Sequence, residues 1–255
     1  MLKLMKYEFR KNRAGIIVML AIALGLFLLA PLGRALDKGN LMIISVFLLF
    51  SYAFAAYVYV LVRGIAAYSG ELRGRTGYLL MMVPRSTMSI LFGKLLFTFF
   101  FALVMLAVSS LALMASGGIL LEEVYELSNL LDVARYLLRE IGVDPGAIAA
   151  TALFFTSAIL TSVVEFVAMG YLSVTLSATV LQSGKPRGLL SFLFFAVLAT
   201  ATGFLQNWIT PEVTDLYATY GEALRAAMPV IVFDLALTCG YTALSAVLLK
   251  KKVSL

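Results

Sequence analysis

Two carboxylates stand inside long apolar runs: Glu165 in "TSVVEFVAMG" and Asp234 in "VIVFDLALTCG". A charged group at membrane depth costs at least roughly 2–3 kcal/mol, so each should face protein or a wet cavity, or carry a proton. No Lys or Arg is expected at the same depth. Thr161, Ser162 and Thr238 are the hydroxyls best placed in sequence to satisfy the two acids. Either the acids touch a cation or substrate on a translocation path, or they make structural hydrogen bonds or a dimer contact.

Other chemistries lack their residues. The chain of 255 residues has no histidine and one cysteine, Cys239. That removes HExxH zinc sites, Ser-His dyads and intramolecular disulfides. The pair Glu122-Glu123 has no histidine with which to build a glutamate-based membrane protease. "GKPRG" and "FGKLL" lack the glycine spacing of a GxxxxGK[ST] phosphate loop. The chain is expected not to be an enzyme, with no catalytic residue, metal or cofactor of its own.

The elements that must hold the two acids follow from composition. At 62% hydrophobic and 13% charged, the chain is far more apolar than a soluble domain, which runs nearer half and a quarter. An all-α integral membrane protein is expected, a single domain over 1–255, because helices are the default way to span. Six spans are predicted at about 15–32, 41–62, 95–116, 148–181, 189–206 and 227–249. The second, at about 33 Å as helix, matches a hydrocarbon core of about 30 Å. The fourth is about 50 Å long and must tilt, bend or project.

Charge sets the orientation. Fifteen of the twenty Lys and Arg residues flank one side of the spans, and only Glu8 and Glu71 oppose them there. That side is read as cytoplasmic, with both termini, in the plasma membrane. The net charge of +6 is thus a topology signal and implies no nucleic acid. Leu2, Met5 and Phe9 at helical spacing among Lys3, Lys6, Arg10 and Lys11 predict an interfacial helix over 1–13 on the lipid bilayer.

Between spans two and three, residues 70–94 read "GELRGRTGYLLMMVPRSTMSILFGK". Thr76 can cap and Pro84 can end a short helix that presents Tyr78, Leu79, Leu80, Met81 and Met82. Such an apolar segment, rimmed by Arg73, Arg75 and Arg85, either dips into the headgroups or docks a soluble partner.

This region resembles that of ABC-2 type transporter permeases, "E…GT…LLLSLPVSR…LLGK". Glu71 stands at the family's acidic position, and Thr76 and Gly77 stand at its "GT" in inverted order. Pro84, Arg85 and Ser86 align with "PVSR" in altered order, and Gly93 and Lys94 with "GK". The basic N-terminus, six spans, short loop between spans four and five, and tail "LLKKKVSL" agree along the whole chain. The resemblance implies that 70–94 holds a cytoplasmic coupling helix meeting an ATPase. It also implies two partner ATPase subunits supplying ATP and Mg, and a second permease copy or a sister permease. Export of a hydrophobic or amphipathic substrate is the expectation.

Outside the spans, Leu120, Val124, Leu127, Leu131, Ala134, Leu138 and Ile141 form a helical stripe, ended by Gly142, Asp144 and Pro145. An external helical segment is therefore expected over 117–146. Thr210 and Pro211 begin a further external segment, with Trp208, Tyr217 and Tyr220 suited to the membrane interface. Gly170, Gly203 and Gly240 are expected to permit close helix contacts. The rival functions are a proton- or sodium-coupled secondary transporter using Glu165 and Asp234, and a non-transporting immunity or scaffold protein. No internal repeat of the kind carriers show is evident.

Overall fold

The computed structural model describes residues 2–73, 86–125, 145–181, 187–209 and 220–252, which form six helices. In chain order they are α1 (Leu2–Ala35), α2 (Gly39–Arg73), α3 (Thr87–Tyr125), α4 (Pro145–Val180), α5 (Arg187–Ile209) and α6 (Tyr220–Lys252). Each carries a stretch long and apolar enough to cross a membrane; five of the six expected spans fall within a helix, and the fourth, 148–181, runs one residue past the end of α4. A helix closes its backbone hydrogen bonds within itself, which is what an apolar surround demands. Serine and threonine hydroxyls obey the same rule by turning back on their own helix. Thr98 donates to the Lys94 carbonyl at 3.0 Å, Ser109 to Met105 at 2.7 Å and Thr242 to Thr238 at 2.6 Å.

Local signals fix two of the helix ends. The backbone at Asp37 is left-handed, with φ 54°. The Lys38 amide bonds the Gly33 carbonyl at 2.9 Å, and the Asp37 amide bonds that of Arg34 at 3.1 Å. This is a Schellman ending with Asp in the usual glycine place, and it turns the chain sharply into α2. At the start of α3, the Ser86 hydroxyl accepts from the Ser89 amide at 3.3 Å, so Ser86 is the N-cap.

Two helices run further than the sequence suggested. The 1–13 segment, expected as a separate interfacial helix, is continuous with the first span, because nothing between Leu2 and Gly15 breaks the helix. Residues 117–125, expected to begin an external segment, instead prolong α3; residues 126–144 lie outside the described residues.

α1 and α2 form an antiparallel pair, pinned by Tyr52 Oη to the Met19 carbonyl at 2.9 Å and Ser45 Oγ to the Leu26 carbonyl at 2.9 Å. α3 packs against both, while α4 and α6 share the most extensive helix contact and α5 rests on α4. α4 runs in the same direction as α2, joined by a 2.7 Å bond between the Tyr68 and Thr175 hydroxyls. The first residues of α1, α3 and α5 and the last of α2, α4 and α6 therefore share one end of the bundle, called the base below.

Of the three glycines expected at close contacts, only Gly170 is at one. A Cβ there would meet Ile65 at 2.5 Å, whereas Gly203 and Gly240 have nothing within 4 Å. Gly64 is a second true contact, lying against Val167. Gly170→Leu should therefore cost about 1–3 kcal/mol by overpacking. Gly240→Ala should change stability by about 0.5 kcal/mol or less. Thermal unfolding of the two purified variants in detergent checks both.

Candidate functional site

The two acids singled out in the sequence come together on facing sides of α4 and α6. Asp234 Oδ2 accepts from Ser162 Oγ at 2.8 Å and, at a longer 3.4 Å, from Thr161 Oγ1. Glu165 lies one turn further along α4, three residues from Ser162. Glu165 is 2% exposed and Asp234 0%. The expectation that Thr161 and Ser162 would satisfy an acid is met; Thr238 does not, and its hydroxyl bonds neither carboxylate.

Their depth differs from the sequence reading. Gly64 packs on Val167 and Ile65 on Gly170, so Arg63 lies within about one turn, roughly 5 Å, of the level of Glu165. A basic residue does stand at similar depth. It is turned away, with the Arg63 guanidinium donating to Asn12 Oδ1 on α1 at 2.7 Å. The reason is that α2 continues ten residues past Arg63 to Arg73, so Arg63 lies within the helix and not at its end. Asp234, level with Ser162, lies about one turn further from the base than Glu165.

On the opposite face of α4 from the acids lies a cavity of about 260 Å³. Ile159, Leu160 and Val163 of α4 close one side, with Ala53 and Tyr57 of α2 and Met105 of α3 among those opposite. Its lining is almost wholly apolar, since Ser109 and Ser110 spend their hydroxyls on carbonyls of α3. The volume suits an alkyl or aryl group.

A second polar cluster clamps the base. Lys94 of α3, 3% exposed, places Nζ 2.5 Å from Glu8 Oε1 of α1 and 2.8 Å from Glu71 Oε2 of α2. Lys11 of α1 reaches the other oxygen of Glu71 at 3.0 Å. Two acids and two bases thus make an electrically balanced set across three helices. Asn12 extends it to Arg63 and donates its amide to the Glu8 carbonyl at 3.0 Å. An apolar collar seals it on the membrane side: the Phe9 ring meets Phe97 edge-on at 4.9 Å, and Phe97 stacks on Phe101 at 5.9 Å. Behind Lys94, Tyr68 and Tyr171 lie 4.4 Å apart and fully buried.

Of the expected coupling residues, Glu71 is in this clamp and Arg73 ends α2. Arg75, Thr76, Gly77, Tyr78, Leu79, Leu80, Met81, Met82, Pro84 and Arg85 lie outside the described residues. Sequence reasoning missed Glu8 as a partner of Lys94, Lys11 as a partner of Glu71, and Asn12, which ties Arg63 to the Glu8 carbonyl. One signal was available: Glu8 and Glu71 are the only acids on a side crowded with bases.

No family model, curated protein or solved structure matches the chain.

Proposed function

We propose that the chain is the membrane-spanning subunit of an ATP-driven transporter of the ABC-2 type, with the base and both termini in the cytoplasm of the cell. The supporting observation is the Glu71–Lys94 ion pair. It joins the two flanks of the 74–86 segment, and the same two residues are those that the resemblance aligns with the family's acidic and "GK" positions. Through Glu8 and Lys11 the pair also grips α1. A push on that segment would reach three helices as one body, which is what a coupling helix requires. Two partner ATPases would bind and hydrolyse ATP with Mg, and a second permease, identical or a sister, would complete the path. The apolar cavity favours a substrate with a hydrophobic part, and export is the proposed direction.

The contact is testable directly. In a Cys239→Ser background, Met82→Cys should cross-link in native membranes to a protein carrying a GxxxxGK[ST] loop. Leu32→Cys, at the far end of the bundle, should not. Equal capture by both positions, or by neither in a folded protein, would remove the coupling-helix reading.

A second reading, coupling to protons or sodium without an ATPase, has one observation in its favour: Asp234 bonds Ser162, one turn from Glu165, so both buried acids lie between α4 and α6.

A further inference from the structure

The face of α6 that meets α4 carries Asp234, Thr238, Thr242 and Ser245, spaced by one turn each and all buried. Because α4 and α6 run the same way, Thr238 lies opposite Glu165, just as Asp234 lies opposite Ser162. The parallel register follows from the Ser162–Asp234 bond at one level and from Leu249 packing with Tyr171 and Val174 nearer the base.

Three oxygens in this interface have no hydrogen-bond partner among the described residues: Glu165 Oε1, Asp234 Oδ1 and Thr238 Oγ1. Thr238, at 6% exposed, is not an acid, so its orphaned hydroxyl is evidence separate from the paired carboxylates. Buried polar atoms are rarely left without partners, and two buried carboxylates of like charge are rarer still. The charged and titratable groups around them offer no neutralisation. Arg63 is spent on Asn12 of α1; Tyr57 of α2 and Tyr241 of α6 carry no positive charge, and the Tyr241 hydroxyl is engaged with Thr202 of α5 at 2.6 Å.

We infer that Glu165, Asp234 and Thr238 form a binding site for one small monovalent cation, a proton or a sodium ion. A set of hard oxygen donors suits either, and no soft ligand is present. With two carboxylates and the nearest base, Arg63, turned away to Asn12, one bound positive charge is the least that lowers the local charge from −2. A divalent ion is a poorer fit, since magnesium keeps several waters and calcium takes six or more oxygens, and these side chains are packed between two helices. The inference does not depend on the ATPase partner.

The test uses the full chain purified in detergent. Thermal unfolding is followed as sodium chloride replaces choline chloride at constant ionic strength. In parallel, infrared spectra of protein labelled at its Asp and Glu carboxyls report any protonated carboxyl at neutral pH. A sodium site predicts a rise in Tm with sodium, and apparent affinity weakened roughly tenfold or more in Thr238→Val and Glu165→Gln. A proton site predicts no sodium effect but a protonated-carboxyl band that disappears in Glu165→Gln or Asp234→Asn. The infrared measurement on the wild type needs no variant to fold. Two ionised carboxylates with no sodium effect, a sodium effect unchanged in the variants, or a response to magnesium alone would overturn the inference.

Discussion

Lys94→Ala should destabilise the protein by about 3–5 kcal/mol, because it strips the counter-charge from two acids at once. Glu8 is 2% exposed and its Oε1 has Lys94 as its ionic partner, so after substitution it must take up a proton or admit water. Glu71 suffers less, since Lys11 still holds it at 3.0 Å from a position 40% exposed. The asymmetry predicts the pattern of rescue. Glu8→Gln in the Lys94→Ala background should recover much of the loss by removing both buried charges together. Glu71→Gln in the Lys94→Ala background should recover less. Unfolding of the four proteins in detergent decides it, and equal rescue by Glu8→Gln and Glu71→Gln would contradict the placing of the burden on Glu8.

Ser162→Ala should cost about 1.5–3 kcal/mol, the range for a hydrogen bond to an ionised group. Thr161→Val should cost under about 1 kcal/mol. The two residues differ in geometry rather than chemistry. The Ser162 hydroxyl is 2.8 Å from Asp234, whereas that of Thr161 is 3.4 Å away and already serves the Ala158 carbonyl at 2.9 Å. In an Asp234→Asn background the penalty of Ser162→Ala should fall below about 1 kcal/mol, since a neutral acceptor needs its donor less. A penalty that persists undiminished would mean that Ser162 acts by packing, or that Asp234 is already protonated in the wild type. The second outcome would agree with a proton in the site between α4 and α6.

How much of this was legible in the sequence varies with the kind of force involved. The six helices were, because apolar length is a local property that lipid enforces without tertiary help. Glu165 and Asp234 stood out for the same reason, as breaks in that pattern. Their meeting did not, because it depends on how α4 and α6 pair, and nothing in either segment encodes the register. Arg63 was misread for depth because the apolar count ends at Val62, while the helix itself continues to Arg73. The clamp was hidden because Glu8, Glu71 and Lys94 are distant in sequence and each alone looks like an ordinary flanking charge. Gly203 and Gly240 show the limit of residue type as a guide. Both face open space, where a glycine in an apolar helix need not mark a contact.

The central claim is that the segment between α2 and α3 couples these helices to an ATPase. The most direct measurement is co-purification of the tagged chain from its native membranes, wild type beside a Leu79→Glu, Leu80→Glu variant at matched expression. The account predicts that an ATPase with a phosphate-binding loop elutes with the wild type and falls at least tenfold in the variant, because two charges in an apolar contact each cost more than the about 1.4 kcal/mol that a tenfold change requires. A folded wild-type protein that brings down no ATPase, or a variant that retains it in full, would contradict the account.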